Sequence, residues 1–214
     1  MNDQFISPTS TRRAFLVSSG SILLLAGCGN LIGPSGTSQI YVLTPDLNVL
    51  PPGASVAWQL VVAKPEAPQS LNTDRIALMR GAILDYYADA VWNDVVPQLL
   101  QTTFVEAFEK SGRISAVAKD VAGIRADYIL ECEIRHFEAR YDTQDGAPTV
   151  VVDFSVKLLS AQRREIVATR EVRNEAKASA NSIVAAVSAF DIAMAKTLDE
   201  TVRWVLETGT PIRR

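Results

Sequence analysis

Asp127-Tyr128-Ile129-Leu130-Glu131-Cys132-Glu133-Ile134-Arg135 alternates apolar and charged residues with a period of two. Only an extended strand sorts such a pattern onto two faces. Carried on to Tyr141, the strand puts Tyr128, Leu130, Cys132 and Ile134 on one face and Glu131, Glu133 and Arg135 on the other. Thr149–Ser160 repeats the pattern, with Val150, Val152, Phe154, Val156 and Leu158 inward and Asp153, Ser155 and Lys157 outward. Glu165–Lys177 is a third, more polar strand in which Thr169, Glu171, Arg173 and Glu175 alternate. Asp145-Gly146 and Arg163-Arg164 mark the turns between them. The three predict an antiparallel meander with one dry face and one wet face.

Beyond the meander the period changes. In Ser179–Leu206 the residues Ile183, Val187, Phe190, Met194, Leu198, Val202 and Val205 recur at steps of three and four. That stripe is a core-facing helix, which Ser179 or Asn181 can cap. Upstream, Asp89–Lys110 carries Trp92, Val95, Val96, Leu99, Thr103, Phe104, Ala107 and Phe108 in a second helical stripe. Asn93 or Asp94 can cap it, Pro97 then falls in its first turn, and Ser111-Gly112 stops it. Ile40–Leu43 reads as a short strand ended by Thr44-Pro45. Val56–Ala63 is apolar on both parities and reads as a central strand. Arg75–Met79 and Ile83–Tyr87 form a hairpin about Arg80-Gly81-Ala82, and Ile114–Ala118 is a short edge strand. The order β-β-β-β-α-β-β-β-β-α predicts one α/β or α+β domain over residues 39–208. Its mixed, largely antiparallel sheet is packed by two amphipathic helices, and residues 209–214 are a loose tail.

The N-terminus is of another kind. Residues 1–27 have the three parts of an export signal: Arg12 and Arg13, then the apolar run Ala14–Ala26, then Leu25-Ala26-Gly27-Cys28. Leu25-Ala26-Gly27-Cys28 has the form of a lipobox, where a bacterial prolipoprotein is lipidated on sulfur and cut between Gly27 and Cys28. The apolar run, diluted by Ser18, Ser19, Gly20 and Ser21, is shorter than the roughly 20 residues a spanning helix needs. Thr11-Arg12-Arg13-Ala14-Phe15-Leu16 resembles the twin-arginine export motif, with Val17 where a lysine is usual. A pair of arginines also suits any export signal, so the export route stays open. Gly29, where an Asp would retain a lipoprotein at the inner membrane, points to the outer membrane in a host that has one. Residues 28–38 are Gly- and Ser-rich and form a tether with a random-coil reach of about 17 Å.

Charge and cysteine usage narrow the function. The whole chain carries −3 and the signal +1, so the mature chain carries −4. Nothing in that balance draws nucleic acid or anionic lipid. Membrane attachment therefore rests on acyl chains at Cys28, each buried methylene contributing about 0.8 kcal/mol. With Cys28 lipidated, Cys132 is the remaining cysteine and is expected as a small buried apolar side chain.

The search for catalytic sets finds none. His136 is the sole histidine and no Gly-x-Ser-x-Gly elbow accompanies it. Cys132 and His136 are too few for zinc. Glu131, Glu133, Asp153, Glu171 and Glu175 are interleaved with Arg135, Lys157 and Arg173, which predicts a solvated cross-strand ion lattice. The expectation is a protein that is not an enzyme, with no metal and no cofactor beyond the lipid on Cys28. Tyr86-Tyr87-Ala88-Asp89-Ala90-Val91-Trp92 is the least ordinary run of the domain. Either Trp92 packs the helix onto the sheet, or Tyr86, Tyr87 and Trp92 present a surface to a partner or an apolar ligand.

The lipobox, Ile40-Tyr41-Val42-Leu43-Thr44-Pro45, Thr73-Asp74-Arg75-Ile76, the aromatic run, Asn93–Gly112, Ala126-Asp127-Tyr128-Ile129-Leu130 and the C-terminal helix occur in that order. Together they resemble the ABC-type transport auxiliary lipoproteins, which include the lipoprotein of the paraquat-inducible system. The resemblance implies a non-enzymatic component of a lipid transport system between membranes. Its implied partners are an Mce (MlaD-like) protein and an ABC permease and ATPase, docked at the outer membrane, with the lipoprotein as a ring-like homo-oligomer. It carries over no catalytic residue, and its one chemical site is Cys28. The alternative is a stand-alone envelope lipoprotein that binds an apolar ligand or assists envelope assembly.

Overall fold

Ten elements follow one another in the expected order: β1 (Gln39–Tyr41), β2 (Val56–Val62), β3 (Arg75–Arg80), β4 (Ile83–Trp92), α1 (Val96–Ser111), β5 (Ile114–Lys119), β6 (Tyr128–Tyr141), β7 (Thr149–Ser160), β8 (Glu165–Lys177) and α2 (Ile183–Thr208). The structure is a computed structural model that describes residues 38–47, 53–120, 125–143 and 145–209. The export signal with Arg12 and Arg13, the cleavage site at Gly27 and Cys28, nearly all of the tether, and tail residues 210–214 lie outside the described residues.

β6 is the axis of a curled mixed sheet of eight strands. One edge pairs antiparallel with β7, and β7 with β8, which is the predicted meander. The other edge is shared. β2 runs parallel to the first half of β6, from Leu60↔Tyr128 to Val62↔Leu130. β3 runs parallel to the second half, from Leu78↔Ala139 to Arg80↔Tyr141. β5 then pairs outside β2, β4 outside β3, and β1 parallel to β4. The expected central place of β2 and edge place of β5 both hold.

A bulge explains how a strand as long as β6 keeps one dry face. The register shifts between Ile134 and His136, which leaves Arg135 outside the ladder. One extra residue exchanges the two faces. Tyr128, Leu130, Cys132 and Ile134 point inward before it, and Phe137, Ala139 and Tyr141 after it, all buried. α2 packs over β7 and β8, and α1 over β5 and β2, with the two helices touching. Phe104, Phe137, Phe154 and Phe190 fill the space between the helices and the sheet.

Two helix starts and one face depart from expectation, and β1 ends at Tyr41 rather than Leu43. α1 starts at Val96 rather than Asp89, because Ala90, Val91 and Trp92 pair with Gln39, Ile40 and Tyr41 and so continue β4. Asp89, at φ 52°, makes the left-handed step that a short polar side chain tolerates. Val95 is the N-cap residue and makes no side-chain cap bond; Asp94 instead accepts from Val95 N at 2.7 Å. α2 is capped by Ser182, whose Oγ accepts from Ala185 N, because Ala178 is still bonded to Pro148 O in the connection from β8. Finally, the outer face of the meander is only partly wet. Val151 and Ser155 on β7 and Glu138 on β6 are buried there, since β7 has a neighbour on each side.

Candidate functional site

The aromatic run is split between core and surface. Trp92 is 2% exposed, with Phe190 of α2 edge-on at 5.2 Å and Phe137 at 6.0 Å. It is therefore a core residue and not part of a partner surface, and the helix it seats on the sheet is α2. Tyr87 is half-buried, and its hydroxyl lies 2.8 Å from the Tyr141 hydroxyl. Burial first, and then that bond, push the Tyr87 phenol well up from its ordinary value. Tyr86 lies under the Arg75 guanidinium, 3.7 Å from the ring centre, and its hydroxyl donates to Ser70 O at 2.9 Å.

Glu138 is the most deeply buried carboxylate among the described residues, at 1% exposure. It faces the outer side of the sheet, where the bulge at Arg135 has placed it in register with Val151. Its oxygens accept from Phe137 N at 2.8 Å and from Arg140 Nε at 2.9 Å. His136 Nδ1 stands 2.9 Å from Arg140 Nη2 and 3.0 Å from Glu138 Oε1. One ring nitrogen cannot accept from the first and donate to the second at once, and the tautomer of the ring decides which of the two bonds it makes. His136 is thus absorbed in a structural ion cluster.

The charged residues of the meander pair as a lattice. Arg135 bonds Glu171, and Arg173 bridges Asp153 at 2.9 Å and Glu175 at 2.7 Å. Glu131 and Glu133 sit opposite Lys157 and Ser155. Among the described residues no group of three or more His, Cys, Asp or Glu is arranged to hold a metal ion. Cys132 is free and buried, and burial pushes its thiol far above its ordinary value, which suppresses the reactive thiolate.

A feature with no local signature in the sequence is the segment after β1. Residues 42–47 cross the crevice between the helices. Leu43 is buried in the core, and Asp46 and Leu47 line a small cavity with Ala107 of α1 and Ala195, Leu198 and Val202 of α2. Thr44 is fixed to Asp191 of α2 through its N–H at 2.6 Å and its hydroxyl at 3.3 Å. On the α1 side of this strap, Val42, Pro45, Leu99, Thr102 and Glu106 line an open groove of about 320 Å³. No helix among the described residues is long and apolar enough to cross a membrane.

The protein is thus a single α+β domain of eight curled strands and two helices, with the charged residues of its meander tied into the scaffold. The family described as ABC-type transport auxiliary lipoprotein component matches residues 41–202, and the chain belongs to that family. Its members are auxiliary transport components and not an enzyme family. The crystal structure of protein XCC0632 from Xanthomonas campestris is similar at 33% identity and a TM-score of 0.75, covering 80% of this chain and 97% of that one. A second crystal structure, of an uncharacterized protein, shares the fold at a TM-score of 0.62 and 15% identity, over 79% of this chain and 99% of that one. An uncharacterized protein of Bradyrhizobium diazoefficiens, bll6063, is 28% identical over 185 residues, 86% of this chain. The chain spans about half the length of that relative, 49% of it.

Proposed function

We propose that the protein is the lipid-anchored adaptor of an Mce/ABC-type system that moves lipid between membranes. The observation that carries this reading is the family match over residues 41–202, which makes the chain an auxiliary lipoprotein of ABC-type transport. Leu25-Ala26-Gly27-Cys28 supplies the complementary anchor. In this reading Cys28 carries the acyl chains and no other group serves as cofactor. Gly29 sends the protein to the outer membrane, where it faces the periplasm. The folded domain docks an Mce (MlaD-like) protein with its permease and ATPase, as a homo-oligomer. Export through the twin-arginine route suits Arg12 and Arg13, because that route carries domains already folded.

Affinity capture of the full-length lipoprotein from detergent-solubilised envelopes tests the assembly. The expected co-purifying proteins are an Mce-type subunit and the ABC permease and ATPase. Recovery of the lipoprotein alone, from membranes in which those subunits are present, overturns the reading in favour of a stand-alone envelope lipoprotein.

A further inference from the structure

We propose that the outer face of the sheet at β1, β4 and β3 lies against the bilayer that holds the anchor, with Ile40 inserted among the headgroups. This inference rests on the lipidation of Cys28. Register pairs share a face of a sheet, and Ile40↔Val91 and Val91↔Arg75 form one row across the three strands. The neighbouring pair Tyr41↔Trp92 turns toward the core, so the row turns away from the helices. Ile40 is 68% exposed. Arg75 stacks on Tyr86 and makes no ion pair among the described residues. An aliphatic residue, a tyrosine and a guanidinium without an ion-pair partner among the described residues are the set that interfacial segments use. The apolar parts enter the boundary layer and the cation meets lipid phosphate. Asp74 and Asp89 border the row, but the row itself carries only the cation.

The length of chain leading to the domain selects the bilayer as the occupant. Ten residues separate Cys28 from Gln39, the first residue of β1. Fully extended they span at most about 35 Å. The acyl anchor therefore keeps the β1 edge within about 35 Å of the membrane, close enough for this face to reach it. Ile40 lies one residue beyond the point where the chain joins β1.

The test uses the full-length lipidated protein in vesicles of phosphatidylethanolamine and phosphatidylglycerol. An environment-sensitive fluorophore is placed by Ile40→Cys and, as controls, by Ile83→Cys at the far end of β4 and Ile166→Cys on β8. All three parent side chains are exposed and Cys132 is buried, so labelling is confined to the new thiol. The expected result is a blue-shifted label at 40 that lipids with shallow doxyl groups quench, and unquenched labels at 83 and 166. A water-like, unquenched label at 40 overturns the proposal when mass spectrometry shows Cys28 acylated. A label at 40 that is shielded but not quenched by doxyl lipid also overturns it, in favour of a protein surface. Absence of acyl mass on Cys28 overturns the anchor reading and this inference with it.

Discussion

Thr44 and Asp191, 147 residues apart in the chain, are joined by two hydrogen bonds to one carboxylate, from the Thr44 N–H at 2.6 Å and its hydroxyl at 3.3 Å. The pair fastens the segment leading in from β1 across the crevice between α1 and α2. Removing the carboxylate with Asp191→Ala leaves the Thr44 N–H without its acceptor. The expected loss is about 1 kcal/mol, since the site is reached by water. Urea unfolding of the full chain measures it.

The same carboxylate gives a pH dependence of known sign. Burial raises the pKa of Asp191 above its ordinary 3.8, against the opposing pull of the Thr44 bonds. A raised acid favours the folded state fully below pH 3.8, where it is protonated folded and unfolded alike. That contribution is lost as pH rises from the ordinary value through the raised one, and stays lost above it. Asp191→Asn keeps an acceptor oxygen and removes the titration. The stability of the parent relative to Asp191→Asn should therefore fall with rising pH across that window and level off above it. Parallel urea titrations at stepped pH give the comparison, and a difference that is flat in pH contradicts it.

Glu138 and Arg140 predict non-additive mutations. Arg140→Ala strands a carboxylate of 1% exposure with Phe137 N and His136 Nδ1 as its remaining neighbours. Losing one partner of a buried pair costs about 3 kcal/mol here, at the lower end of the usual range because the lost Arg140 is itself partly solvated. Glu138→Leu with Arg140→Ala removes the uncompensated charge as well. The double variant should be more stable than Arg140→Ala alone. A denaturant-based double-mutant cycle reads the coupling directly.

Trp92 separates core from surface in the aromatic run. Trp92→Ala should cost about 3–5 kcal/mol, because the ring fills the space between Phe137 and Phe190. Trp92→Phe should cost much less. It keeps most of the contact and removes an indole N–H that has no hydrogen-bond partner among the described residues. Thermal unfolding of both variants checks the order, and equal losses would contradict it.

The sequence made these elements legible to very different degrees, for physical reasons. The alternation of β6, β7 and β8 and the stripe of α2 are local periodicities with buried faces, so they could be read from single stretches. The start of α1 could not. Trp92, Val95, Val96 and Leu99 recur at helical steps, yet Trp92 is claimed by a strand through its register with Tyr41, fifty-one residues upstream. The bulge at Arg135 does have a signature, in the switch of apolar positions from Ile134 to Phe137, Ala139 and Tyr141. That switch marks the inward turn of the later half of β6, whereas the burial of Glu138 on the outer face has no such signature. The Thr44–Asp191 clamp has none, since neither residue's neighbours announce its partner. The row Ile40–Val91–Arg75 likewise exists only once three separate strands have paired. Cys28 is the opposite case: the lipidation proposed for it is read from four adjacent residues and owes nothing to the fold.

That independence makes the N-terminal motifs separable by mutation. Cys28→Ala removes the sulfur that would carry lipid and leaves the domain from β1 onward untouched. The expected product lacks acyl mass and leaves the membrane fraction, because the net −4 of the mature chain offers no electrostatic substitute for the anchor. Arg12→Lys with Arg13→Lys keeps the positive charge of the export signal but erases the paired arginines that the twin-arginine receptor reads. The expected result is a folded, unlipidated precursor held in the cytoplasm. Lipidation and membrane association that persist in the double-lysine variant would place export on the general secretory route, which needs only the charge. Fractionation with intact-mass measurement of the three proteins resolves both questions in one experiment.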